Sequence, residues 1–202
     1  MRIIGLTGGI ASGKSTVSAI LRNEGAYIID TDQIAHDITL PQEPAWREIV
    51  EKFGKEILSS DGTIDRRKLG QIVFNDKKKR IILEQITHPR IRSKVIQEIE
   101  EANLKAYSVV VLDVPLLFEV GWNEMADEIW VVYVDEQTQL SRLIARNNLS
   151  RQEAMDRIAA QKSLADKVRL ADVVIDNNCS VESTQAQVIA ALYQAKTEGH
   201  DS

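Results

Sequence analysis

The chain of 202 residues carries a single thiol, Cys179. That excludes an internal disulfide and suits a reducing compartment. No chemistry elsewhere in the sequence asks for a thiol, so a packing or surface role fits Cys179 better than catalysis. Positive charge is also short: 25 Lys and Arg against 30 Asp and Glu leave a net charge of −5. This speaks against a surface built to track a nucleic-acid backbone, while leaving room for local basic pockets that take small phosphorylated ligands. No apolar stretch is long enough to span a bilayer. The first apolar run is too short and too soon broken by glycines for a signal peptide. There are no internal repeats and no low-complexity tract. The expectation is a single cytoplasmic domain with no nucleic-acid or membrane partner and no obligate protein partner.

What is present begins at residue 8: Gly8-Gly9-Ile10-Ala11-Ser12-Gly13-Lys14-Ser15-Thr16. Glycine, four residues, glycine, lysine, then serine or threonine is the pattern of a phosphate-binding loop. Gly8 and Gly13 permit backbone angles that a Cβ would forbid. Successive N–H groups can then line an anion-binding bowl, and the following helix adds the positive end of its dipole. Lys14 can reach the outer phosphates, and the Ser15 hydroxyl can ligate the Mg²⁺ that accompanies ATP. The flanks agree. Residues 2–7 read as a buried strand, and Val17, Ile20 and Leu21 fall at helical spacing.

Four further strands follow. The run 26–30 ends in Asp30 and leads to Asp32, so both carboxylates are expected at the ligand-binding edge of an open parallel sheet. Asp32 is favoured as functional, the alternative being a helix N-cap. Residues 107–113 form a continuous β-branched run ending in Asp113, an acidic strand end of the kind that helps hold Mg²⁺ beside a phosphate loop. The segment 114–119 after it reads equally as a pocket wall or as ordinary core. Residues 128–134 and 171–176 complete a five-stranded parallel sheet. Between the second and third strands lies a charged, helical stretch from about 34 to 106. Pro89 is expected to end or kink a helix there. His88, Arg90 and Arg92 read either as a positive site for an anionic substrate or as a solvated helix start. Between the fourth and fifth strands, Arg142, Arg146 and Arg157 suggest a lid that brings positive charge to a transferring phosphoryl group, against the alternative of a salt-bridged surface helix. Ser150 with Glu153 has the spacing of a capping box.

Taken together, residues 8–15, Asp-Thr-Asp at 30–32, His-Pro-Arg-Ile-Arg at 88–92, Asp-Val-Pro-Leu-Leu-Phe-Glu at 113–119 and Ala-Asp-Val-Val-Ile-Asp-Asn at 171–177 resemble the dephospho-CoA kinase family. Residues 61–66 resemble a segment of the same family. The resemblance implies an α/β fold with a P-loop core like that of nucleoside-monophosphate kinases. That core would comprise 1–32, 107–138 and 171–202, with a helical CoA-binding subdomain at 33–106 and a lid at 139–170. It implies ATP-dependent phosphorylation of the ribose 3′-hydroxyl of dephospho-CoA, with Mg²⁺ as cofactor. Asp32, Lys14 and Arg142 would be catalytic. Gly8, Gly9, Ala11, Ser12, Gly13, Lys14, Ser15, Thr16, Arg142 and Asn177 would bind ATP. Asp32, Arg66, His88, Pro89, Leu117, Phe118 and Glu119 would bind the acceptor, and Ser15 and Asp113 the metal. Ala11 stands where the family usually has glycine, with little loss expected. Pro41 to Ala45 also departs from the family pattern. A kinase of another small acceptor is the nearest rival. A GTP-dependent switch is disfavoured because no Asn-Lys-x-Asp guanine motif is present.

Overall fold

A computed structural model describes residues 1–198. Its contacts divide the chain into two units: Met1–Ile29 with the chain from Glu101 onward, and Asp30–Glu100.

The first unit is organised on a parallel sheet. Strands β1 (Arg2–Gly8), β2 (Tyr27–Asp30), β3 (Val109–Asp113), β4 (Glu128–Tyr133) and β5 (Val173–Asp176) lie in the order β2-β3-β1-β4-β5. Strand β1 sits between β3 and β4, with Ile3 opposite Val110 and Leu6 opposite Trp130. Because the pairing is parallel, the strand ends bearing Gly8 and Asp113 are neighbours at one edge, the edge where open α/β sheets bind ligands. All five residues of β3 are buried, as its β-branched run requires of a strand covered on both faces. One core cluster joins Ile4, Leu6, Val109, Val111, Trp130, Val132 and Ile175 of the sheet to two helices. These are α1 (Lys14–Asn23), through Val17 and Leu21, and α9 (Val181–Glu198), through Val188 and Leu192. Strand β5 starts two residues later than its apolar pattern suggests. The Asp172 carboxylate, not a strand neighbour, accepts the Ile129 N–H at 2.7 Å.

Helices α6 (Glu136–Asn147), α7 (Arg151–Ala159) and α8 (Leu164–Arg169) fill the interval between β4 and β5. Ser150 and Glu153 form the expected capping box at the start of α7. A small second core forms here from Leu140, Leu143 and Ala154, and Ile10 and Ala11 of the glycine loop pack against it.

The second unit holds α2 (Thr31–Asp37), α3 (Pro44–Phe53), α4 (Arg66–Asn75) and most of α5 (Lys77–Leu104). Asp30, not Asp32, caps α2, accepting from the N–H groups of Asp32 and Gln33 at 3.0 and 3.1 Å. Asp65 caps α4 in the same way. Of the two outcomes expected at Pro89, an end to the helix does not occur: α5 continues through it. Proline withholds one N–H from the helix ladder. Side chains tie the adjacent turns: the Thr87 hydroxyl donates to the Leu83 carbonyl at 2.9 Å, and the Arg90 guanidinium to the Ile86 carbonyl at 2.6 Å and to Glu48 at 2.8 Å. No helix among the described residues is long and apolar enough to cross a membrane.

Candidate active site

The phosphate loop leaves β1 at Gly8 and enters α1 at Lys14. Its turn is closed by the Ser12 N–H donating to the Gly9 carbonyl at 3.0 Å. Gly13 has φ +89°, in the left-handed region, so α1 opens without a side-chain cap and its first N–H groups remain for a ligand. Gly8 does not have such angles. It is required for space instead, since a Cβ there would run into the Ser12 hydroxyl and the Val132 carbonyl. Ala11, however, does have φ +60°. The substitution expected to be harmless therefore places an L-residue in a region that glycine tolerates better, at a cost of about 1–2 kcal/mol.

Three further segments converge on this loop. Lys14 pairs with the buried carboxylate of Asp113 at the end of β3. The Asn177 amide, just past β5, donates to the Ser12 carbonyl at 2.8 Å and accepts from the Thr184 hydroxyl at 2.9 Å. The Arg142 guanidinium of α6 donates to the Asn177 carbonyl at 3.0 Å. The structure thus brings together the ATP-binding residues named from the sequence. It adds Thr184, which is fully buried and orients Asn177. Nothing in the sequence pattern singled out Thr184. Ser15 is exposed and Thr16 half-buried in the first turn of α1. Ser15 and Asp113 offer hard oxygen donors of the kind Mg²⁺ prefers. Among the described residues no cluster of three or more His, Cys, Asp or Glu offers a competing metal cage.

Leu117, Phe118 and Glu119 follow β3 in the first unit. Leu117 is fully buried, whereas Phe118 is half-buried with the Lys162 ammonium 5.9 Å from its ring centre. The Glu119 carboxylate accepts from the Lys162 N–H at 3.0 Å and pairs at 3.1 Å with Lys167, which is completely buried. Burial alone would raise the Glu119 carboxyl. The backbone hydrogen bond at Glu119, the hydrogen bond and charge of Lys167, and the Lys162 amide outweigh it and hold the group below its ordinary value. The sequence offered Lys167 only as one cation in a charged segment. Its burial is a tertiary fact.

In the second unit, Asp32 occupies the first turn of α2, directly after β2. Arg66 and His88 line one cavity of ≈ 320 Å³ whose other walls include Leu40, Ile64, Leu69 and Leu83. The Arg66 guanidinium donates to His36 Nδ1 at 2.9 Å, so that nitrogen carries a lone pair and His36 orients Arg66. His36 was missed in the sequence. The expected cluster His88, Arg90, Arg92 is divided: Pro89 and Arg90 line a different hollow with Glu43 and Lys94, and Arg90 is paired with Glu48.

Comparison with known proteins gives a consistent picture. A family model described as Dephospho-CoA kinase matches residues 2–183. The dephospho-CoA kinase of Carboxydothermus hydrogenoformans is 54% identical over 194 residues, covering 96% of this chain and 94% of that one. Among solved structures, TT1252 from Thermus thermophilus superposes with a TM-score of 0.82 at 33% identity, covering 96% of each chain. Dephospho-CoA kinase from Campylobacter jejuni superposes with a TM-score of 0.73 at 30% identity, covering 97% of this chain and 98% of that one.

Proposed function

Because the chain belongs to the dephospho-CoA kinase family, we propose that it transfers the γ-phosphoryl group of ATP to the ribose 3′-hydroxyl of dephospho-CoA, the last step of coenzyme A biosynthesis. The observation that carries this reading is an intact phosphate loop inside a family match over residues 2–183.

In the proposed reaction the loop amides and Lys14 hold the triphosphate, with Lys14 leaving Asp113 for the outer phosphates. Arg142, anchored on Asn177, covers the nucleotide side of the loop. Gly8 and Gly9 keep the loop narrow enough for that arrangement. Ser15 and Asp113 would hold Mg²⁺, which would supply neutralisation of the phosphoryl oxygens. Asp32 accepts the proton of the attacking 3′-hydroxyl as its oxygen bonds to phosphorus and the bond to the leaving ADP oxygen breaks. The cavity bearing Arg66 and His88 takes the acceptor: its apolar walls suit an uncharged arm, and Arg66 suits an anionic group. Pro89 shapes the helix that carries His88. Phe118 and Glu119, in the loop after β3, would also bind the acceptor, and Leu117 is buried in the same loop. On this reading residues 1–32, 107–138 and 171–202 are the nucleotide core, 33–106 the acceptor-binding part and 139–170 the lid. We place the enzyme in the cytoplasm, where its exposed free Cys179 meets a reducing medium.

The test is ADP release with Mg-ATP and, in turn, dephospho-CoA, AMP, adenosine and shikimate, with the product weighed by mass spectrometry. Turnover with dephospho-CoA and the gain of one phosphate is the expected result. Turnover confined to another acceptor overturns the assignment.

A further inference from the structure

We infer that Gln161 is a positioning residue of the nucleotide site, acting with Gln139 to hold Ile10 of the phosphate loop by the two peptide groups that flank it. The inference rests on the reading of residues 8–16 as the Mg-ATP site.

The Ile10 N–H donates to Gln161 Oε1 at 3.0 Å. The Gln139 Nε2 donates to the Ile10 carbonyl at 2.9 Å. An N–H needs an acceptor and a carbonyl needs a donor, so the two side-chain amides have opposite and unambiguous orientations. Gln139, in α6, is 4% exposed. It reaches the loop only because residue 9 is glycine: a Cβ there would collide with Gln139 Nε2. Gly9 is not among the glycines with positive φ, so close approach and not backbone angle explains it.

Gln161 stands in the short link between α7 and α8. The residues that follow are anchored elsewhere. The Lys162 N–H donates to Glu119, and Lys167 bonds both Glu119 and the Pro115 carbonyl, at 3.0 Å for the latter. One short segment, 161–167, therefore grips the loop after β1 and the loop after β3, whose first residues follow Asp113. The side chains of Ile10 and Ala11 add an apolar attachment to the α6–α7 cluster. The tip of the phosphate loop is thus fixed by the helical segment beside it, and a shift of that segment reaches the loop through Ile10 and Ala11.

The experiment is calorimetric binding of Mg-ATP without acceptor to the full-length protein and its variants. Gln161→Leu and Gln139→Leu each remove one hydrogen bond and should each weaken binding by about tenfold. Since both act on one residue, through the two peptide groups that flank its Cα, the double variant should lose no more than about twentyfold, well short of the additive hundredfold. Gln161→Glu and Gln139→Glu bring the same charge to the same residue. Only Gln161→Glu keeps the acceptor that the Ile10 N–H requires, whereas Gln139→Glu sets two acceptors face to face. Gln161→Glu should therefore bind at least about fivefold tighter than Gln139→Glu, a difference that a space-filling role would not produce. Equal binding by the two Glu variants, or additive loss in the double Leu variant, overturns the inference. Wild-type turnover with dephospho-CoA is measured separately. Absence of turnover with retained Mg-ATP binding refutes the acceptor assignment and leaves the loop inference standing. Failure of the wild type to bind Mg-ATP refutes both.

Discussion

The pair Glu119–Lys167 makes an asymmetric prediction. The Lys167 side chain is 0% exposed, and its ammonium has two bonds, to Glu119 at 3.1 Å and to the Pro115 carbonyl at 3.0 Å. Glu119→Ala leaves that ammonium buried with one neutral partner, and breaking a buried pair in this way costs about 3–5 kcal/mol. Lys167→Met keeps most of the buried stem and removes the charge. What it strands is better served: the Glu119 side chain is 26% exposed and keeps the Lys162 N–H, and the Pro115 carbonyl keeps the Thr7 hydroxyl at 3.0 Å. The expected cost is about 1–2 kcal/mol. For a chain of this size each kcal/mol moves Tm by about 2–4 °C. Glu119→Ala should then lower Tm by about 6–20 °C and Lys167→Met by about 2–8 °C, measured by circular dichroism at pH 7.5. The pH dependence has a fixed sign. The folded Glu119 carboxyl lies below its ordinary value of 4.5, so its contribution is complete above that value and is lost as pH falls through the lower folded one. Lys167→Met, lacking the partner, should lose less stability over that acid range than wild type. A Lys167→Met protein as unstable as Glu119→Ala would refute the reasoning.

Three further outcomes are expected. Asp32→Asn should lower kcat by about 10²–10⁴ while calorimetry finds Mg-ATP affinity nearly unchanged, and an unaltered kcat would remove Asp32 from its proposed role. Ala11→Gly should relieve the left-handed strain of about 1–2 kcal/mol against an added glycine entropy of about 0.5–1 kcal/mol, raising Tm by a few degrees. A fall in Tm would mean that the Ala11 methyl gains more from the α6–α7 cluster than its backbone loses. Arg66→Met should raise KM for dephospho-CoA by about tenfold or more and leave KM for ATP within about twofold, and a parallel rise in both would place Arg66 outside the acceptor cavity.

The sequence was most legible where one local pattern has one physical solution. The β-branched runs became strands, the Ser150–Glu153 spacing became a capping box, and glycine spacing with Lys14 became the loop. Legibility failed where a distant partner decides. Pro89 is a helix breaker by local rule, yet α5 runs through it with Arg90 tied to Glu48. Asp32 is the residue that the sequence offers as a helix cap, and the turn geometry gives that place to Asp30 instead. Lys167 stands out in no local pattern, and only the fold encloses it against Glu119. Gln139 and Gln161 lie 22 positions apart in sequence, about as far as a motif can be read, and they meet only because Ile10 comes between them. His36 likewise gains meaning from Arg66, which lies on another helix.

If Lys14 turns to the outer phosphates as proposed, its pairing with Asp113 makes nucleotide arrival an exchange and not a simple capture. When the ammonium turns to phosphate, a carboxylate that is only 5% exposed loses its counter-ion. On the proposed role of Asp113 the divalent cation fills that vacancy in the same event. On the proposed roles, nucleotide and metal would then be heterotropic partners, each making room for the other, and the Lys14–Asp113 ion pair would act as an interlock that admits the two charges together.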